Sequence, residues 1–373
     1  MRASRILVVD DELGMLRAIE RVLGESHHVV TSGSSQNAVA LAADFKPDLA
    51  ILDIRMPGLD GFELMSRLKM LQPDLDVILM TGSLEDQDEK LVRAIRGRAF
   101  YFIQKPFDRE VLRTLVERCL ELRWHREENR RHVLRLETEL AEARAFQEGL
   151  LPPREATIGG LDVWCRYTPC SELGGDLYDY AVDAGGRAAL VIADVAGHGA
   201  SAAMLTGIVK SAFRAAHAEA YDPLSVVDRV WNGVAAFGVE RFVTLIAVVV
   251  SPTDRRLAFV NAGHPSGLLW NASGITPLDS TGPLVSPALT SSRWDRVVAP
   301  FARGDRLLLY TDGVSDALAS DDNPGEAQMR AAIERHPEGG AALLDAILDD
   351  VRHVEGRRPH RDDLTLMTAV SRI

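Results

Sequence analysis

One stretch near the middle of this chain restricts its possible folds more than any other. Leu112 to Leu150 contains no proline and, before Gly149, no glycine. Alternate steps of three and four residues select a row in which apolar side chains predominate: Leu112, Leu115, Cys119, Leu122, Arg126, Asn129, Val133, Leu136, Leu140, Ala143, Gln147 and Leu150. This row, called the seam below, is the heptad pattern of a helix roughly 60 Å long at about 1.5 Å per residue. We therefore predict a helical rod that joins two globular units.

The flanks of the rod carry signals for a helix start and a helix end. Asp108 can cap a helix that begins near Arg109, and Pro152-Pro153 stops it. Within the seam, Arg126 and Asn129 occupy adjacent core positions, where polar residues lower the stability of a coiled coil and fix its register. We predict a parallel homodimer whose coiled coil is weakest at these positions. A single amphipathic helix lying on one of the domains is the alternative.

Length, charge and cysteine content narrow the class of protein. A chain of 373 residues allows two or three domains at about 150 residues each. Its net charge of −12 argues against a nucleic-acid or anionic-membrane partner. The three cysteines, Cys119, Cys165 and Cys170, do not provide a disulfide framework, which fits a reducing compartment. Since we find no signal peptide and no apolar run of 18 residues, we expect a cytoplasmic protein.

The first 108 residues alternate short apolar runs with helix-period segments. Leu13 to Leu23 and Ala38 to Asp44 have the helical period. The apolar runs are Ile6 to Val9, Val29 to Thr31, Leu49 to Leu52, Val77 to Met80 and Phe100 to Ile103. Five such repeats predict an α/β unit with a five-stranded, doubly wound parallel sheet. Its functional site would lie at the carboxyl ends of the strands.

Polar residues follow these predicted strands. Asp10 and Asp11 come after the first strand and Asp53 after the third. Three carboxylates at one sheet edge require a hard cation, and Mg²⁺ prefers oxygen ligands. A carboxylate can also attack a phosphoryl donor to give an acyl phosphate. Thr81 and Lys105, after the fourth and fifth strands, would then contact the phosphoryl oxygens.

With these residues in place, the segment resembles the receiver domain of two-component response regulators. The loop from Asp53 to Gly61 also matches that family. The resemblance makes Asp53 the phosphoacceptor and implies a Mg²⁺ held by Asp10, Asp11, Asp53 and the backbone carbonyl of Arg55. It assigns three further features: Thr81 as the switch hydroxyl, Lys105 as the family's lysine in a cis bond to Pro106, and Phe102 as the switch aromatic. A degenerate, unphosphorylated receiver is the alternative, although no acceptor-site residue is missing.

Residues 151 to 373 have a different texture, with many glycines and longer strands. Ala200 to Ala216 and Pro223 to Phe237 are predicted as the two helical stretches. The apolar runs predicted as buried strands are Ala188 to Ala193, Thr244 to Val250, Leu257 to Val260, Arg306 to Tyr310 and Leu364 to Ala369. Because the strands are not regularly interleaved with helices, we predict a layered α+β domain.

Four acidic turns carry the chemistry of this second part. They are Gly174-Gly175-Asp176, Ala193 to Gly199, Tyr310-Thr311-Asp312-Gly313 and Arg361 to Thr365. Acidic side chains at the ends of buried strands, on turns that expose carbonyl groups, suit hard cations. Two such ions that share a water promote in-line phosphoryl displacement.

These turns, with Asn261-Ala262-Gly263-His264-Pro265, resemble the metal-dependent (PPM-type) serine/threonine phosphatases of the SpoIIE/RsbU-like branch. The resemblance covers residues 145 to 373 and begins at Phe146 to Pro152. It implies two Mn²⁺ or Mg²⁺ ions with a set of ligands that share the ends of strands: Asp194 bridging both ions, the Val195 carbonyl on the second, Asp312 and Asp362 on the first, and Asp176 directly or through water. Asp363 stands beside Asp362, and the sequence does not separate their roles.

The remaining motif residues receive weaker assignments. His198 stands where many relatives have lysine and is not interpreted as a ligand. Arg166 is only a candidate for contacting a substrate phosphate. His264, Trp270 and Trp294 are interpreted as structural.

Together, the two resemblances predict a response regulator with a receiver core (1–108), a helix continuing into a coiled-coil linker (109–150) and a phosphatase domain (151–373). A sensor histidine kinase or phosphotransfer protein would phosphorylate Asp53. The expected substrate is a phosphorylated anti-sigma-factor antagonist of the STAS type. The alternative is a non-enzymatic adaptor that binds a sigma or anti-sigma factor. A transcription factor is disfavoured because no DNA-binding segment remains.

Overall fold

The computed structural model divides the chain into two compact units, Met1–Leu136 and Glu137–Ile373. The residues that it describes are 3–82, 101–197, 199–237, 241–251, 253–289, 293–319, 324–356 and 360–373. Helices are numbered below within these residues. Among them, no helix combines the length and the apolar character needed to cross a membrane.

The first unit is built on a parallel sheet in the order β2-β1-β3-β4-β5. Its strands are β1 Arg5–Val9, β2 His28–Ser32, β3 Leu49–Asp53, β4 Asp76–Thr81 and β5 Tyr101–Gln104. Within residues 3–82, three helices lie between strands: α1 Leu13–Leu23, α2 Ser35–Phe45 and α3 Gly61–Leu71. Every residue of β3 and β4 is buried, because helices cover both faces of such a sheet. The predicted five-stranded doubly wound fold is confirmed.

Helix α4, Arg109–Leu150, contains 42 residues and is about 63 Å long at about 1.5 Å per residue. The Asp108 carboxylate accepts a hydrogen bond of 2.7 Å from the Glu110 N–H, which is the predicted cap. The helix ends two residues before Pro152, as the Pro-Pro pair requires.

The seam of α4 does not have one environment throughout. Leu112 and Cys119 are buried in the hydrophobic core of the first unit. Further along, Val133 and Leu136 are 52% and 58% exposed. The alternative of a helix lying on a domain therefore describes the first half of α4, as far as Arg130. Because the later part of the seam is exposed, its pairing with a second copy in a coiled coil stays a prediction.

Arg126 differs from the simple expectation for a core position of a coiled coil. Its guanidinium donates a hydrogen bond of 2.6 Å to the carboxylate of Asp76 on β4. Arg123 lies 3.5 Å from the same carboxylate, and Arg130 pairs with Asp74 at 3.3 Å. Since Asp76 is nearly buried and would otherwise lack a counter-charge, these arginines fasten the middle of α4 to the strand β4.

The second unit contains two antiparallel sheets, ordered β14-β11-β10-β9-β8 and β13-β12-β15-β16-β7-β6. Its strands are β6 Glu155–Ile158, β7 Leu161–Thr168, β8 Asp176–Val182, β9 Ala188–Val195, β10 Val243–Ser251, β11 Arg256–Ala262, β12 Gly267–Asn271, β13 Gly274–Leu278, β14 Val297–Pro300, β15 Arg306–Tyr310 and β16 Leu364–Ser371. Its helices are α5 Ala200–Ala215, α6 Pro223–Val234, α7 Asp312–Leu318, α8 Gly325–Arg335 and α9 Gly340–Glu355.

Three hydrophobic cores arrange these elements as helix, sheet, sheet and helix layers. One core joins α5 and α6 to the first sheet, a second fills the space between the sheets, and a third joins α7, α8 and α9 to the second sheet. The predicted layered α+β class is confirmed.

The expectation of two helical stretches in this unit is wrong, because the described residues hold five α-helices. Helix α9 was missed although Leu343, Leu344, Ile347, Leu348 and Val351 form its buried face. Its apolar side chains stand among several aspartates, which weakens the pattern in the sequence. Helix α7 has only seven residues, too few to show a helical period.

Candidate functional site

The acidic residues of the first unit meet at the carboxyl end of its sheet. Ligand oxygens of Asp10, Asp11 and Asp53 all lie within 4.8 Å of one another. Asp10 is fully buried, Asp53 is 5% exposed and Asp11 is exposed. Among the described residues, no other group of three or more potential metal ligands is as close. This oxygen-only set fits one hard divalent cation.

Lys105 bridges two of these carboxylates. Its Nζ lies 2.6 Å from Asp10 Oδ2 and 2.8 Å from Asp53 Oδ1. The second oxygen of Asp53 accepts a hydrogen bond of 3.1 Å from the Arg55 N–H. Burial raises the pKa of Asp53, and Lys105 opposes part of that effect. The pKa of Lys105 is itself raised, because its bonds to the two carboxylates outweigh its burial. The lysine therefore stays charged beside the carboxylate of Asp53.

The other predicted receiver residues flank this pocket. Thr81 is buried at the end of β4, and its carbonyl accepts a 2.6 Å hydrogen bond from the Lys105 N–H. Phe102 lies on β5 opposite Leu79. The Lys105-Pro106 bond is cis, as predicted.

In the second unit, the acidic residues come from the ends of both sheets. Asp176 on β8 and Asp194 on β9 are direct partners in the antiparallel register, so their side chains share one face. Asp176 Oδ2 accepts hydrogen bonds from the hydroxyls of Thr311 at 2.8 Å and Thr365 at 2.5 Å. Thr311 directly precedes Asp312 at the start of α7. Asp176 therefore ties the first sheet to the turns of the second.

The carboxylates of the acidic turns also affect one another electrostatically. Burial raises the pKa of Asp194 to about 7, and the charges of Asp312 and Asp362 add to this effect. Burial and the charge of Asp362 likewise raise the pKa of Asp312. Such mutual repulsion is relieved when divalent cations bind. The carboxylates of this second site therefore fit metal ions. They are spaced more widely than Asp10, Asp11 and Asp53 of the first unit.

The backbone beside Asp194 is held by close packing. The Val195 N–H donates a 3.1 Å hydrogen bond to the Gly175 carbonyl. A Cβ atom on Gly175 would lie 2.6 Å from the Val195 carbonyl oxygen, so only glycine allows this approach. The carbonyl predicted as a metal ligand is thus fixed next to Asp176.

The structure separates the two neighbouring aspartates that the sequence could not. Asp363 is 4% exposed, and its carboxylate accepts backbone hydrogen bonds from Cys170 at 2.8 Å and Gly175 at 2.6 Å. Asp362 is exposed and accepts a 2.8 Å bond from the Asp363 N–H. Asp363 is therefore occupied in holding the turn, and Asp362 is the more accessible of the two carboxylates.

Other candidates fall outside this cluster. Arg166 makes two hydrogen bonds to the carboxylate of Asp345, at 2.8 and 3.2 Å, so its guanidinium is engaged by α9. His198 lies outside the described residues. Sequence reasoning missed Thr311 and Thr365, although each stands within three residues of a predicted ligand.

His264 is buried in the second unit, and among the described residues only one of its two ring nitrogens has a hydrogen-bond partner. It is 4% exposed, and its Nδ1 lies 2.8 Å from the Thr244 hydroxyl. Thr244 is the register partner of Asp194 on β10. Burial lowers the pKa of His264 to about 3, so the folded protein keeps this ring neutral.

This burial predicts a pH dependence of stability. Between pH 6.5 and about 3, the unfolded chain protonates His264 and the folded chain does not, so its contribution to stability is lost as pH falls through that window. Replacing His264 with Asn should therefore destabilise the protein more at pH 7 than at pH 5. Urea unfolding of both proteins at the two pH values measures this difference. Equal destabilisation at both would contradict the prediction.

Fold and site together define a two-part protein: a doubly wound α/β unit of the receiver type and a layered α+β unit of the PP2C phosphatase type. Residues 6–117 match the response regulator receiver domain model, and residues 184–371 match the model of stage II sporulation protein E (SpoIIE). The second match covers half of the chain, and the chain belongs to the SpoIIE family. The matched segment includes Asp194, Asp312 and Asp362.

Individual relatives agree with this division. Phosphoserine phosphatase RsbP of Bacillus subtilis (strain 168) is 30% identical over 204 residues, which is 53% of this chain and 49% of RsbP. Regulatory protein AtoC of Escherichia coli (strain K12) is 36% identical over 130 residues, which is 34% of this chain and 27% of AtoC. The chain thus spans about half or less of the length of these curated relatives.

A solved structure supports the fold of the second unit. The SiaA-PP2C domain of Pseudomonas aeruginosa has a TM-score of 0.55 and 21% sequence identity, and the match covers 65% of this chain and 98% of that domain. At this identity, the likeness concerns the fold alone.

Proposed function

We propose that this chain is a response regulator in which phosphorylation of Asp53 controls a metal-dependent protein serine/threonine phosphatase. One observation carries the proposal: Asp176 and Asp194 are direct register partners at the end of the first sheet, and Asp176 accepts a 2.8 Å hydrogen bond from Thr311, the residue before Asp312, so acidic turns from both sheets meet. All the acidic positions expected of an active enzyme are present, which disfavours the adaptor. The test is single-turnover hydrolysis of a phosphoserine protein with Mn²⁺ or Mg²⁺.

The phosphatase residues divide into ligands and supports. Asp194 would be shared by two Mn²⁺ or Mg²⁺ ions, with the Val195 carbonyl on one and Asp312 and Asp362 on the other. Asp176 would contribute through its Oδ1 or through water, since Thr311 and Thr365 occupy its Oδ2. Two bound metal ions would lower the pKa of a coordinated water molecule, and that water would supply the nucleophile.

In the receiver, Asp53 is the proposed nucleophile. One of its carboxylate oxygens would form the new bond to phosphorus while the bond from phosphorus to the donor breaks. Mg²⁺ would be held by Asp10, Asp11, Asp53 and the Arg55 carbonyl. Lys105 already lies 2.8 Å from Asp53 and would contact the phosphoryl oxygens with Thr81. Phe102 would respond as the switch aromatic.

The partners follow from these roles. A receiver takes its phosphoryl group from a donor, and we propose a sensor histidine kinase or phosphotransfer protein in the cytoplasm. The relative RsbP is a phosphoserine phosphatase by name, which supports a phosphoserine protein as substrate. We propose a phosphorylated anti-sigma-factor antagonist of the STAS type.

We also propose that the chain forms a homodimer through the seam of α4. Val133, Leu136 and Leu140 remain at least 39% exposed, and a second copy of the helix would cover them. Because α4 runs without a break from Arg109 to Leu150, a change in its pairing would reach both of its ends.

Replacing Asn129 with leucine should stabilise this dimer, because Asn129 is an exposed seam residue whereas Arg126 is held by Asp76 within its own chain. Each buried leucine contributes about 1.5 kcal/mol or more, so the dissociation constant should fall at least about 10-fold. The phosphatase rate should no longer depend on receiver phosphorylation. Analytical ultracentrifugation and turnover with and without a phosphodonor measure both effects. Arg131→Leu, a change at an exposed position of α4 outside the seam, is the control. If receiver phosphorylation still controlled the phosphatase rate of the variant, α4 would act only as a spacer.

A further inference from the structure

The last seam residue of α4, Gln147, faces the acidic turn and not a second helix. Its side chain is 7% exposed. Its Nε2 donates a 2.6 Å hydrogen bond to the Gly174 carbonyl, and its Oε1 accepts a 3.2 Å bond from the Gly174 N–H. The amide of Gln147 thus binds both the C=O and the N–H of Gly174, which lies two positions before Asp176.

The chain leaving the helix continues along the same strand. The hydroxyl of Tyr178 donates a 3.3 Å hydrogen bond to the Pro152 carbonyl, and that of Tyr180 donates a 2.8 Å bond to the Pro153 carbonyl. Tyr178 and Tyr180 lie on β8, the strand that begins with Asp176. Contacts at Gly174, just before β8, and at Tyr178 and Tyr180 within β8 therefore hold residues 147–153 along this strand.

The turn gripped by Gln147 is held from its other side by the acidic cluster. The Gly175 N–H donates to Asp363 at 2.6 Å, and Asp363 is bonded to its neighbour Asp362. Gly175 also packs against the Val195 carbonyl. A displacement of Gly174 would therefore move Asp176, and it would also shift the backbone of Val195 and the side chain of Asp362.

We propose that Gln147 is a positioning residue for the metal site, which makes cation affinity depend on the final turn of α4. This inference rests on the proposed phosphatase function and adds the point at which the rod acts on it. It also places the end of the exposed seam before Gln147, because this side chain is already committed within its own chain. A rotation of the last helical turn would break both bonds to Gly174.

The test compares Mn²⁺ binding by full-length variants. All proteins carry Asp11→Asn, so that the receiver site does not contribute to the signal. Gln147→Met keeps the length of the side chain and removes both hydrogen bonds, while Glu148→Gln, a change on the neighbouring exposed position, is the matched control. Isothermal titration calorimetry gives the dissociation constant, and para-nitrophenyl phosphate gives kcat and KM.

Gln147→Met should raise the Mn²⁺ dissociation constant about 10-fold or more, the effect of losing an outer-shell partner, and Glu148→Gln should leave it within about twofold. A purely structural role would lower the urea midpoint of the metal-free protein and leave the dissociation constant unchanged, which would overturn the inference. Absence of Mn²⁺ binding in the Asp11→Asn parent would also overturn it. Binding without hydrolysis in that parent would refute the proposed function, while the comparison of dissociation constants would still support or overturn the role of Gln147.

Discussion

Asp194→Asn is expected to reduce metal-dependent hydrolysis of a phosphoserine protein by about 1000-fold or more, equivalent to about 4 kcal/mol of activation free energy. Asp194 is the direct register partner of Asp176 and is the residue that both cations would share in the proposed site. Asparagine keeps the shape of the side chain and removes the charge that two cations would share. Single-turnover assays with Mn²⁺, supported by para-nitrophenyl phosphate hydrolysis, measure the loss.

The stability of this variant separates lost chemistry from lost fold. In the metal-free protein, Asp194 is repelled by its neighbours, so a neutral asparagine should unfold at the same or a higher urea concentration than the native residue. Asp228→Asn, an equivalent change at an exposed position of α6, should keep full activity. Unchanged hydrolysis by Asp194→Asn would refute the proposed mechanism.

The receiver could be predicted almost completely from sequence because its site is local to strand ends. Asp10, Asp53, Thr81 and Lys105 each lie at the end of a strand or directly after it, and parallel topology brings those ends to one edge. Helix α1, Leu13–Leu23, has the predicted bounds because its apolar positions repeat with a clear helical period. The cis bond at Pro106 followed from the family resemblance and not from any pattern in the residues.

The phosphatase site could be predicted only in part, because contacts between distant residues complete it. The hydroxyls of Thr311 and Thr365 reach Asp176 from 135 and 189 positions away, and no short pattern announces such a contact. The different roles of Asp362 and Asp363 likewise depend on which one faces the backbone of Gly175. Adjacent identical residues carry no information about that choice.

For helix α4, the sequence predicted the helix itself but not the contacts that its seam residues make. Its period predicted a continuous helix, and the structure has one. The period could not tell which partner each seam position meets. Leu112 packs in the receiver core, Arg126 pairs with Asp76, and Gln147 holds Gly174. A seam read from sequence therefore combines contacts within the chain with a stretch available to a second copy.

Asp53→Asn is expected to abolish phosphorylation of the receiver by a small phosphodonor such as acetyl phosphate. The amide is not a nucleophile for phosphorus at neutral pH, whereas the carboxylate beside Lys105 is held ready for attack. The asparagine oxygen can still accept the hydrogen bond from Lys105, so the pocket should keep its shape. Intact-mass spectrometry, with hydroxylamine to cleave acyl phosphates, measures the modification.

The same variant tests whether the receiver is the input to the phosphatase. Asp60→Asn is the matched control, since asparagine still caps α3, where Asp60 now accepts a 2.7 Å bond from the Glu63 N–H. The control should be phosphorylated normally and should show the same donor-dependent change in turnover as the native chain. Asp53→Asn should have one fixed phosphatase rate with or without the donor. If its rate still responded to the donor, the signal would enter elsewhere, and the continuity of α4 would not be the route by which Asp53 acts.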